Sequence, residues 1–505
     1  MSYLSDSFVK SSPFIFQAFV CILSAGLLCG CGEEEKKKPE SNKESADESA
    51  PEAARSSGEN SGIVAAQSFA GGGAGPALNL EVGAGYNEQI ANINNSLVAK
   101  SGVRWVRAYV NLSRNYWIFG TPIPQPPPSE PIYPINALLE RNIIQETSDV
   151  SNDSDTLSIA ALDQLINTKT VFSGGAPLKV ILSLKHDFSY PYPAGSTIPA
   201  GQFPDFSTAA GRVEIHEMVA SIENLLITNN RGNDIDILVT GNEPMFEIQP
   251  NNNPDTARKY KLYLNYLIQR LVDLKTEENK KTVDGVKNTW DFQIFVGALN
   301  SPLDPTSASG NVIITAVLEV ARDNMNVSGI DLHEHVDATS QVAIDIKYVK
   351  DETKFRPIGG LPLQITSTEF SIIKIFQANM SLVPIGSTLP PLSQFINNTI
   401  AQAATGTPIS QSEFLAYFLA QGWYPQNWFQ EMIAAFESDG VLAVTYGLEE
   451  APRYPWVDNQ VPPTAMPWVL NGVYNATLLG RSADGYPNTN PLVYPDFENA
   501  INRMK

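Results

Sequence analysis

Two acidic side chains stand where strand-like runs of the sequence end. Glu243 follows the run 235–240 and lies in the tripeptide Asn-Glu-Pro, and Glu369 follows the run 363–368 and lies in Thr-Glu-Phe. Two carboxylates that face one ligand form an acid–base pair, because their mutual repulsion raises the pKa of one of them while the other stays ionised. Such chemistry requires a fold that brings the ends of distant strands together.

Eight short runs rich in aliphatic and β-branched residues recur along the chain, separated by longer amphipathic stretches. They span residues 78–82, 103–110, 179–184, 235–240, 293–298, 329–332, 363–368 and 441–446. Strands that alternate with helices indicate a parallel sheet, and eight is the number that closes a (β/α)₈ barrel. An open, doubly wound sheet would show a similar alternation. We predict a TIM barrel over residues 77–450, in which strands four and seven face each other across the mouth.

Two long insertions follow the second and third predicted strands. They cover residues 113–155 and 188–206, and both are rich in proline. Loops that follow barrel strands build the functional face of this fold, so we predict long βα-loop insertions there. The stretch 451–505 is predicted to form loops and a closing helix packed on the barrel.

The two glutamate tripeptides, placed after strands four and seven, resemble the signatures of the clan A glycoside hydrolases, which are retaining TIM-barrel enzymes. The resemblance covers the barrel and does not select one family of the clan. It implies that Glu243 is the general acid/base, that Glu369 is the nucleophile, and that Asn242 hydrogen-bonds the 2-hydroxyl of the sugar. Retaining hydrolysis uses two carboxylates about 5–5.5 Å apart and no cofactor in enzymes of this kind.

Three further side chains are candidates for the same site. Arg107 lies on the second strand, where the clan places a basic residue near the nucleophile. The sixth strand ends in His333-Glu334-His335, whereas the clan commonly shows His-x-Tyr, so His333 fits the pattern and His335 departs from it. A His-x-His pair could instead ligate zinc, but the sequence offers no evident third ligand, and we predict no metal.

Aromatic and polar residues at other strand ends are weaker candidates for sugar contacts. Tyr446 ends the eighth strand, where the clan usually supplies a tryptophan under the reactive sugar, and Trp456 and Trp468 follow in the same loop. The floor of the site is therefore assigned to Tyr446 or Trp456. His186 and Asn300 end the third and fifth strands; His186 fits equally well as a rim residue that makes no sugar contact.

The N-terminus has the pattern of an exported lipoprotein. Residues 14–28 form an apolar run of signal-peptide length, and the sequence that ends at Cys31 resembles the bacterial lipobox. Residues 32–62 hold nine acidic and five basic residues and almost no apolar ones, so they predict a disordered tether. We predict a signal peptide over 1–30, a lipid on Cys31 and a tether over 31–76. An uncleaved anchor helix is the alternative.

The composition bounds the remaining possibilities. The chain has 505 residues, of which 43% are hydrophobic and 17% charged, so it can bury a large core. A net charge of −20 makes nucleic acid an unfavourable partner. The prediction is an extracytoplasmic, lipid-anchored, monomeric retaining glycoside hydrolase that cleaves a poly- or oligosaccharide and meets the membrane only through its lipid. The alternative is a non-catalytic carbohydrate-binding lipoprotein on a degenerate barrel.

Overall fold

Each of the eight strand-like runs overlaps a parallel β-strand, the first by two residues only, and the eight strands close into a barrel in chain order, with the last paired to the first. The predicted (β/α)₈ fold is thereby confirmed. The structure is a computed structural model that describes residues 79–85, 95–112, 178–186, 202–283, 285–303, 311–357, 360–382, 388–449 and 466–504. The barrel strands are β1 Glu81–Gly85, β2 Trp105–Leu112, β3 Lys179–His186, β4 Ile237–Val239, β5 Gln293–Asn300, β6 Gly329–His335, β7 Gln364–Ser371 and β8 Ala443–Gly447.

Several strands continue beyond their apolar runs. The strand β6 extends through His335 and β7 extends through Ser371, each three residues past the predicted end. Polar side chains interrupt the hydrophobic pattern there, while the backbone hydrogen bonds of the sheet continue. The predicted site residues on these strands therefore lie on the barrel wall itself and not on the loops that follow it.

Helices surround the barrel. The main helices span Asn95–Ser101, Ala209–Ile227, Pro254–Glu278, Val312–Asp323, Gln341–Thr353, Ile373–Asn379, Leu392–Ala404, Gln411–Leu419, Trp428–Ser438 and Tyr494–Arg503, and short ones span Pro244–Glu247, Met466–Val469 and Ala476–Leu479. A small hairpin pairs Thr282–Val283 with Val286–Lys287. Local signals set several helix starts, as where Ser410 and Glu413 form a capping box. Over the residues that the structure describes, every helix is too short or too polar to cross a membrane.

The barrel interior is apolar at its lower end. Trp105, Ile181, Ile237, Val239, Phe295 and Ala443 form this inner cluster, separate from the larger core between strands and helices. Successive side chains on a strand point to opposite faces, so the residue two positions after an interior residue also points inward. On β2 that residue is Arg107, and on β3 it is Ser183. Polar side chains therefore line the mouth of the barrel, above this apolar inner cluster.

Several predictions concern residues outside the described ranges. They are the signal peptide, Cys31 with its tether, the insertion 113–155 and most of 188–206.

The C-terminal stretch packs on the barrel domain: the ring of Phe497 on the last helix lies 6.3 Å from that of Phe429 on the helix Trp428–Ser438. This last helix spans Tyr494–Arg503, close to the predicted closing helix.

A pair of buried acids lies behind β6, on the outer face of the barrel wall. Glu334 is fully buried, and its pKa is raised well above its ordinary value because burial and the neighbouring Asp345 oppose its charge. Burial also raises the pKa of Asp345, whose Oδ1 accepts hydrogen bonds from Leu303 N at 3.2 Å and Gln341 Nε2 at 2.9 Å. Glu334 therefore stays neutral over a pH range in which an exposed glutamate is ionised.

The replacement Glu334→Gln should stabilise the protein increasingly as the pH rises. In the unfolded chain Glu334 ionises near its ordinary pKa of 4.5, while in the folded protein it keeps its proton to much higher pH. Folding thus takes up a proton, and stability falls as the pH rises from that value towards the folded pKa. Glutamine takes up none, so the excess of its Tm over wild type should grow between about pH 5 and about pH 8.

Thermal unfolding across that range checks this expectation. Asp351→Asn is the matched control, because it makes the same change of charge on the exposed side of the adjoining helix, where Lys347 lowers the pKa of Asp351. Its Tm difference should not rise with pH. A constant Tm difference for Glu334→Gln would show that Glu334 is ionised in the folded state.

Candidate active site

The turn after β4 places Glu243 in the barrel mouth. Gly241 passes so close to β5 that a Cβ atom there would lie 2.2 Å from the carbonyl oxygen of Gly297, so only glycine fits. Glu243 itself has φ 58° and ψ 52°, a left-handed conformation that is rare outside glycine and asparagine. Its backbone N–H donates to the carbonyl of Ala298 at 3.1 Å. The strained backbone is held by this contact and by Pro244, which begins the next helix.

A bulge between β6 and β7 places Glu369 in the same mouth. Leu332 pairs with Ser367, but the next residue, His333, pairs with Glu369, so Thr368 is an extra residue in β7. A bulge redirects the side chains beside it. As a result, Thr368 and Glu369 both contact residues of the barrel interior, although they are neighbours in sequence.

Arg107 is the cation at the centre of the site. It is fully buried, and its Nη1 donates to Oε1 of Glu369 at 2.5 Å. Its Nη2 donates to Oδ1 of Asn242, and its Nε donates to Oγ of Ser183 at 3.2 Å. One guanidinium therefore ties strands β2, β3 and β7 to the turn after β4.

His333 lies between the two carboxylates. Its Nδ1 is 3.3 Å from Oε1 of Glu243, and its Nε2 is 3.7 Å from Oε1 of Glu369 and 3.2 Å from Oγ1 of Thr368. Asn300 supports Glu243 from the other side, since its Nδ2 donates to Oε1 at 2.6 Å. A single imidazole ring thus spans the gap between Glu243 and Glu369.

His335 borders Glu369 on its far side. Its Nδ1 is 2.8 Å from Oγ of Ser371, and its Nε2 is 3.4 Å from Oε2 of Glu369. The ring of Trp468 meets that of His335 edge-on, with 5.3 Å between centroids. Trp468 is half-buried, so a partly exposed indole borders His335 at the mouth.

The charges of the site keep both carboxylates ionised in the free protein. Burial opposes the charge of Glu243, but the hydrogen bond and charge of His333 outweigh it and hold its pKa below the ordinary value. Burial is likewise outweighed at Glu369, whose pKa is lowered by His333 and Arg107. Burial disfavours a charge on His333, yet Glu369 and Glu243 raise its pKa. The arrangement is two anions held by the Arg107 cation and by a histidine whose pKa they raise.

A third carboxylate, Glu247, stands beside this group. Burial raises its pKa to about 8, so it is largely neutral at neutral pH. Its Oε1 lies 3.5 Å from Nδ2 of Asn242, and its Oε2 accepts from the backbone N–H of His186 at 3.1 Å. Glu247 and Arg107 thus hold the amide group of Asn242 from opposite ends.

This geometry can carry acid–base and nucleophilic chemistry. Glu369 is an ionised carboxylate, and Glu243 is a second one, 27% exposed, beside His333, whose pKa is raised. Among the described residues, Glu243, His333 and His335 also form a set whose ligand atoms lie within 4.8 Å of one another, close enough to meet a metal ion.

The chain shows only distant likeness to known proteins. No protein-family model and no curated protein sequence matches the chain. The structure is similar to that of an exo-β-1,4-mannosidase from Opitutaceae bacterium strain TAV5, at 12% identity and TM-score 0.39, over 84% of this chain and 59% of the mannosidase. It is also similar to fungal β-1,4-galactanases, at 12% identity and TM-score 0.40, over 85% of this chain and 100% of the other.

A broad-specificity endoglucanase from Clostridium acetobutylicum is another similar structure, at 11% identity and TM-score 0.40, over 85% of this chain and 97% of the endoglucanase. The chain spans less than two thirds of the mannosidase. At these identities the likeness concerns the fold, and the chemistry of this chain has to be argued from its own side chains.

Most of the predicted site residues meet in the mouth of the barrel. The structure brings together Glu243, Glu369, Asn242, Arg107, His333, His335 and Asn300. Trp456 lies outside the described residues, so its place in the site stays a prediction.

The structure corrects the expectation for Tyr446. This side chain is 2% exposed, packs against Phe370 and Phe429, and donates its hydroxyl to Oδ1 of Asn471. On β8 the inward residue is Thr445, whose hydroxyl donates to a backbone carbonyl of β7 at 2.5 Å. Because side chains alternate along a strand, Tyr446 faces the helices and cannot form the floor of the site.

The structure also corrects the suggestion that His186 contacts a sugar. Its Nε2 is 2.7 Å from the hydroxyl of Tyr263, which belongs to the outer helix Pro254–Glu278. Burial lowers the pKa of His186 to about 3, so the ring is neutral. Ser183 points into the barrel, and alternation turns His186, three positions later, towards the helix layer.

Several residues that complete the site were not predicted. Asp331 accepts hydrogen bonds from both hydroxyl and N–H of Thr368. The two-residue spacing of Asp331, His333 and His335 places them on one face of β6, so alternation alone could have identified Asp331. Glu247 gives no comparable signal, because a helical turn brings it to the site. Trp468 was recognised as an aromatic residue that follows the eighth strand, but the floor of the site was assigned to Tyr446 or Trp456.

The replacement Arg107→Met should destabilise the fold by about 3–5 kcal/mol, because it leaves the buried Glu369 carboxylate without its cation. Denaturant unfolding measures this loss. The double variant Arg107→Met, Glu369→Gln should lose less than the sum of the two single variants, since it removes both charges. Lys347→Met, which breaks the exposed pair with Asp351, is the control and should change the free energy of unfolding little. Strict additivity of the buried variants would show that Arg107 and Glu369 are not coupled.

Proposed function

We propose that this protein is a retaining glycoside hydrolase that cleaves O-glycosidic bonds of a poly- or oligosaccharide, with Glu243 as general acid/base and Glu369 as nucleophile. The observation that carries the proposal is the contact of both carboxylates with one imidazole ring, that of His333. Two acids from opposite strands of the barrel thereby face the same small volume in the mouth.

Retention is the part of the proposal that rests on the resemblance of the two glutamate motifs to those of the clan A enzymes. A retaining pair stands about 5–5.5 Å apart, while an inverting pair leaves about 6.5–9.5 Å for a water molecule between them. Here one imidazole ring contacts both acids, since Nδ1 of His333 is 3.3 Å from Glu243 and Nε2 is 3.7 Å from Glu369. The configuration of the first product therefore tests retention directly.

The reaction would proceed in two displacements. In the first, a carboxylate oxygen of Glu369 bonds to the anomeric carbon as the bond to the leaving oxygen breaks, and a proton on Glu243 passes to that oxygen. In the second, Glu243 takes a proton from water, and the water oxygen replaces Glu369 at the same carbon. Glu243 is ionised in the free protein, so its proton must come from a neighbour, and Nδ1 of His333 is 3.3 Å away.

The surrounding residues would orient the two carboxylates and the sugar. Arg107 holds Glu369 and Asn242 in one arrangement, which leaves the amide of Asn242 at the position suited to a sugar hydroxyl. Asn300 fixes Glu243. Trp468, next to His335, offers the aromatic face on which a pyranose ring stacks, in place of Tyr446. β-Glucan, β-mannan, β-galactan and arabinofuranosides are the substrate classes to test.

The pattern of the N-terminal sequence supports a second proposal, that the protein is exported and anchored by a lipid on Cys31. An apolar run of signal-peptide length, a cysteine just after it and a highly charged stretch of low hydrophobicity follow one another in the order that a lipoprotein requires. The barrel would then act outside the cytoplasm, at the end of a solvated arm.

The variants Glu243→Gln and Glu369→Gln should each lower kcat/KM by about 10²–10⁴ on the glycan or aryl glycoside that the wild type hydrolyses, because each removes a group that exchanges a proton or forms a bond. The leaving group separates the roles. Loss of Glu243 should slow the first displacement much less for an aryl glycoside with an acidic phenol, which departs without a proton, whereas loss of Glu369 should affect all substrates.

Azide provides a second readout. It should restore turnover of Glu243→Ala and give a glycosyl azide of retained configuration, since azide needs no general base. Glu319→Gln, a change at the protein surface, is the matched control and should keep wild-type activity. Wild-type turnover in either site variant would remove that residue from the mechanism. Binding of a glycan without turnover by the wild type would favour the non-catalytic carbohydrate-binding alternative.

The replacement Cys31→Ser should abolish incorporation of a radiolabelled fatty acid when the full chain is produced in a bacterial host, because the thiol is the only group at that position that can carry the lipid. The protein should also move from the membrane to the soluble fraction. Cys29→Ser is the control and should keep the label. Unchanged labelling of Cys31→Ser would rule out lipidation at this residue.

A further inference from the structure

Three potential metal ligands converge in the barrel mouth. Glu243, His333 and His335 each offer one ligand atom, and these atoms lie within 4.8 Å of one another. Both histidines are at least 96% buried, while Glu243 is partly exposed and lies on the side from which an ion would enter. Two imidazoles and one carboxylate are the donor set that suits Zn²⁺ and related ions, and three protein ligands leave a coordination position open.

The orientation of the His335 ring favours binding of a cation at Nε2. Its Nδ1 is 2.8 Å from Oγ of Ser371, which fixes the ring and assigns the other nitrogen to face inward. That nitrogen, Nε2, is buried, makes no hydrogen bond of good geometry with the described residues, and lies 3.4 Å from Oε2 of Glu369. A lone pair that faces a carboxylate is unfavourable unless a proton or a metal ion lies at the same place.

His333 has the outer support typical of a ligating histidine. Its Nε2 is 3.2 Å from Oγ1 of Thr368, which in turn donates to Oδ2 of Asp331 at 2.5 Å. Ligating histidines usually donate their second N–H to such a partner. The inner nitrogen, Nδ1, is then 3.3 Å from Oε1 of Glu243. Two ligands of a tetrahedral Zn²⁺ with bonds of about 2.0–2.2 Å lie about 3.3–3.5 Å apart, so this spacing fits with little movement.

The local charge is compatible with a divalent ion. A bound metal ion replaces the proton on each nitrogen that ligates it, so both histidines are neutral in the complex. The negative charges of Glu243 and Glu369 then face the single positive charge of Arg107, which leaves an excess of negative charge. Arg107 binds Oε1 of Glu369, and it approaches His333 at Nε2, across the ring from the proposed ligand atom. The guanidinium therefore leaves Nδ1 of His333, Nε2 of His335 and Glu243 accessible to the ion.

We propose that Glu243, His333 and His335 bind one divalent transition-metal ion, with Zn²⁺ as the best-fitting one, and that this ion inhibits hydrolysis. The second part rests on the proposed function: an ion bound to Glu243 and to Nδ1 of His333 occupies the position of the proton that the leaving oxygen needs. The metal site and the catalytic site would then be alternatives in one volume, so that activity depends on the free concentration of the ion.

The binding test uses the full chain without a histidine tag, stripped of metal with EDTA and then freed of the chelator. Co²⁺ titration should produce visible absorption bands of a low-symmetry site with one equivalent bound, and Zn²⁺ should displace them. His335→Gln and His333→Gln should each weaken binding by at least about tenfold. His216→Gln is the matched control, because His216 is a buried histidine bonded to Tyr266 away from the site, and it should bind like wild type.

The second measurement is hydrolysis of an aryl glycoside as Zn²⁺ is added, with each variant compared with its own metal-free rate. Zn²⁺ should inhibit the wild type reversibly, with recovery on EDTA addition, and His335→Gln should need at least about ten times more Zn²⁺ for half inhibition. Circular dichroism checks that each variant is folded, and Glu243→Gln gives an independent loss of binding if a histidine variant is not.

The outcomes separate the two proposals. Absence of Co²⁺ and Zn²⁺ binding at millimolar concentration, or binding that neither histidine variant weakens, overturns the metal site. Binding at these residues without inhibition keeps the metal site and overturns its inhibitory role. Metal binding by a protein that hydrolyses no glycoside overturns the proposed hydrolase and leaves the metal site supported.

Discussion

The structure depends on one buried cation. Arg107 lies directly above the apolar inner cluster of the barrel and is fully buried. It contacts a carboxylate, an amide and a hydroxyl from three other elements. An unpaired charge at this depth would cost several kcal/mol, so these partners have to stay in place. Because the partners of Arg107 have to stay in place, the site is rigid. A rigid site holds two carboxylates at a fixed spacing, as acid–base chemistry requires.

Irregularities of the backbone place Glu243 and Glu369 in the mouth, where regular strands would not. A regular β7 would turn Thr368 and Glu369 to opposite faces, and the bulge is what allows Thr368 to bond Asp331 while Glu369 bonds Arg107. Glu243 likewise reaches the mouth through a left-handed residue after a glycine that passes against β5. Both acids thus depend on local distortions that the surrounding hydrogen bonds maintain.

The sequence was sufficient to predict the barrel and most of its polar mouth, because alternation of strand-like and amphipathic segments reports on burial, and because two glutamates and a histidine pair stand at strand ends. Most strands were predicted to end too early, because the hydrophobic pattern stops at the first polar side chains while the hydrogen bonds of the sheet continue. Tyr446 was misassigned because the sequence does not show which residues of β8 point into the barrel. Thr445 points inward, so its neighbour Tyr446 points towards the helices. Glu247 could not be predicted, because its position follows from tertiary packing alone, and the sequence could not show which of the tryptophans after β8 reaches His335.

The C-terminal segment has a consequence for how this protein can be divided. Its short helix Met466–Val469 carries Trp468 to the rim, and its last helix packs against the helix before β8. A chain cut after the eighth strand would keep Glu243, Glu247 and Glu369, yet His335 would lose its aromatic neighbour. The unit that holds the complete set of mouth side chains is therefore longer than the barrel that its strands define.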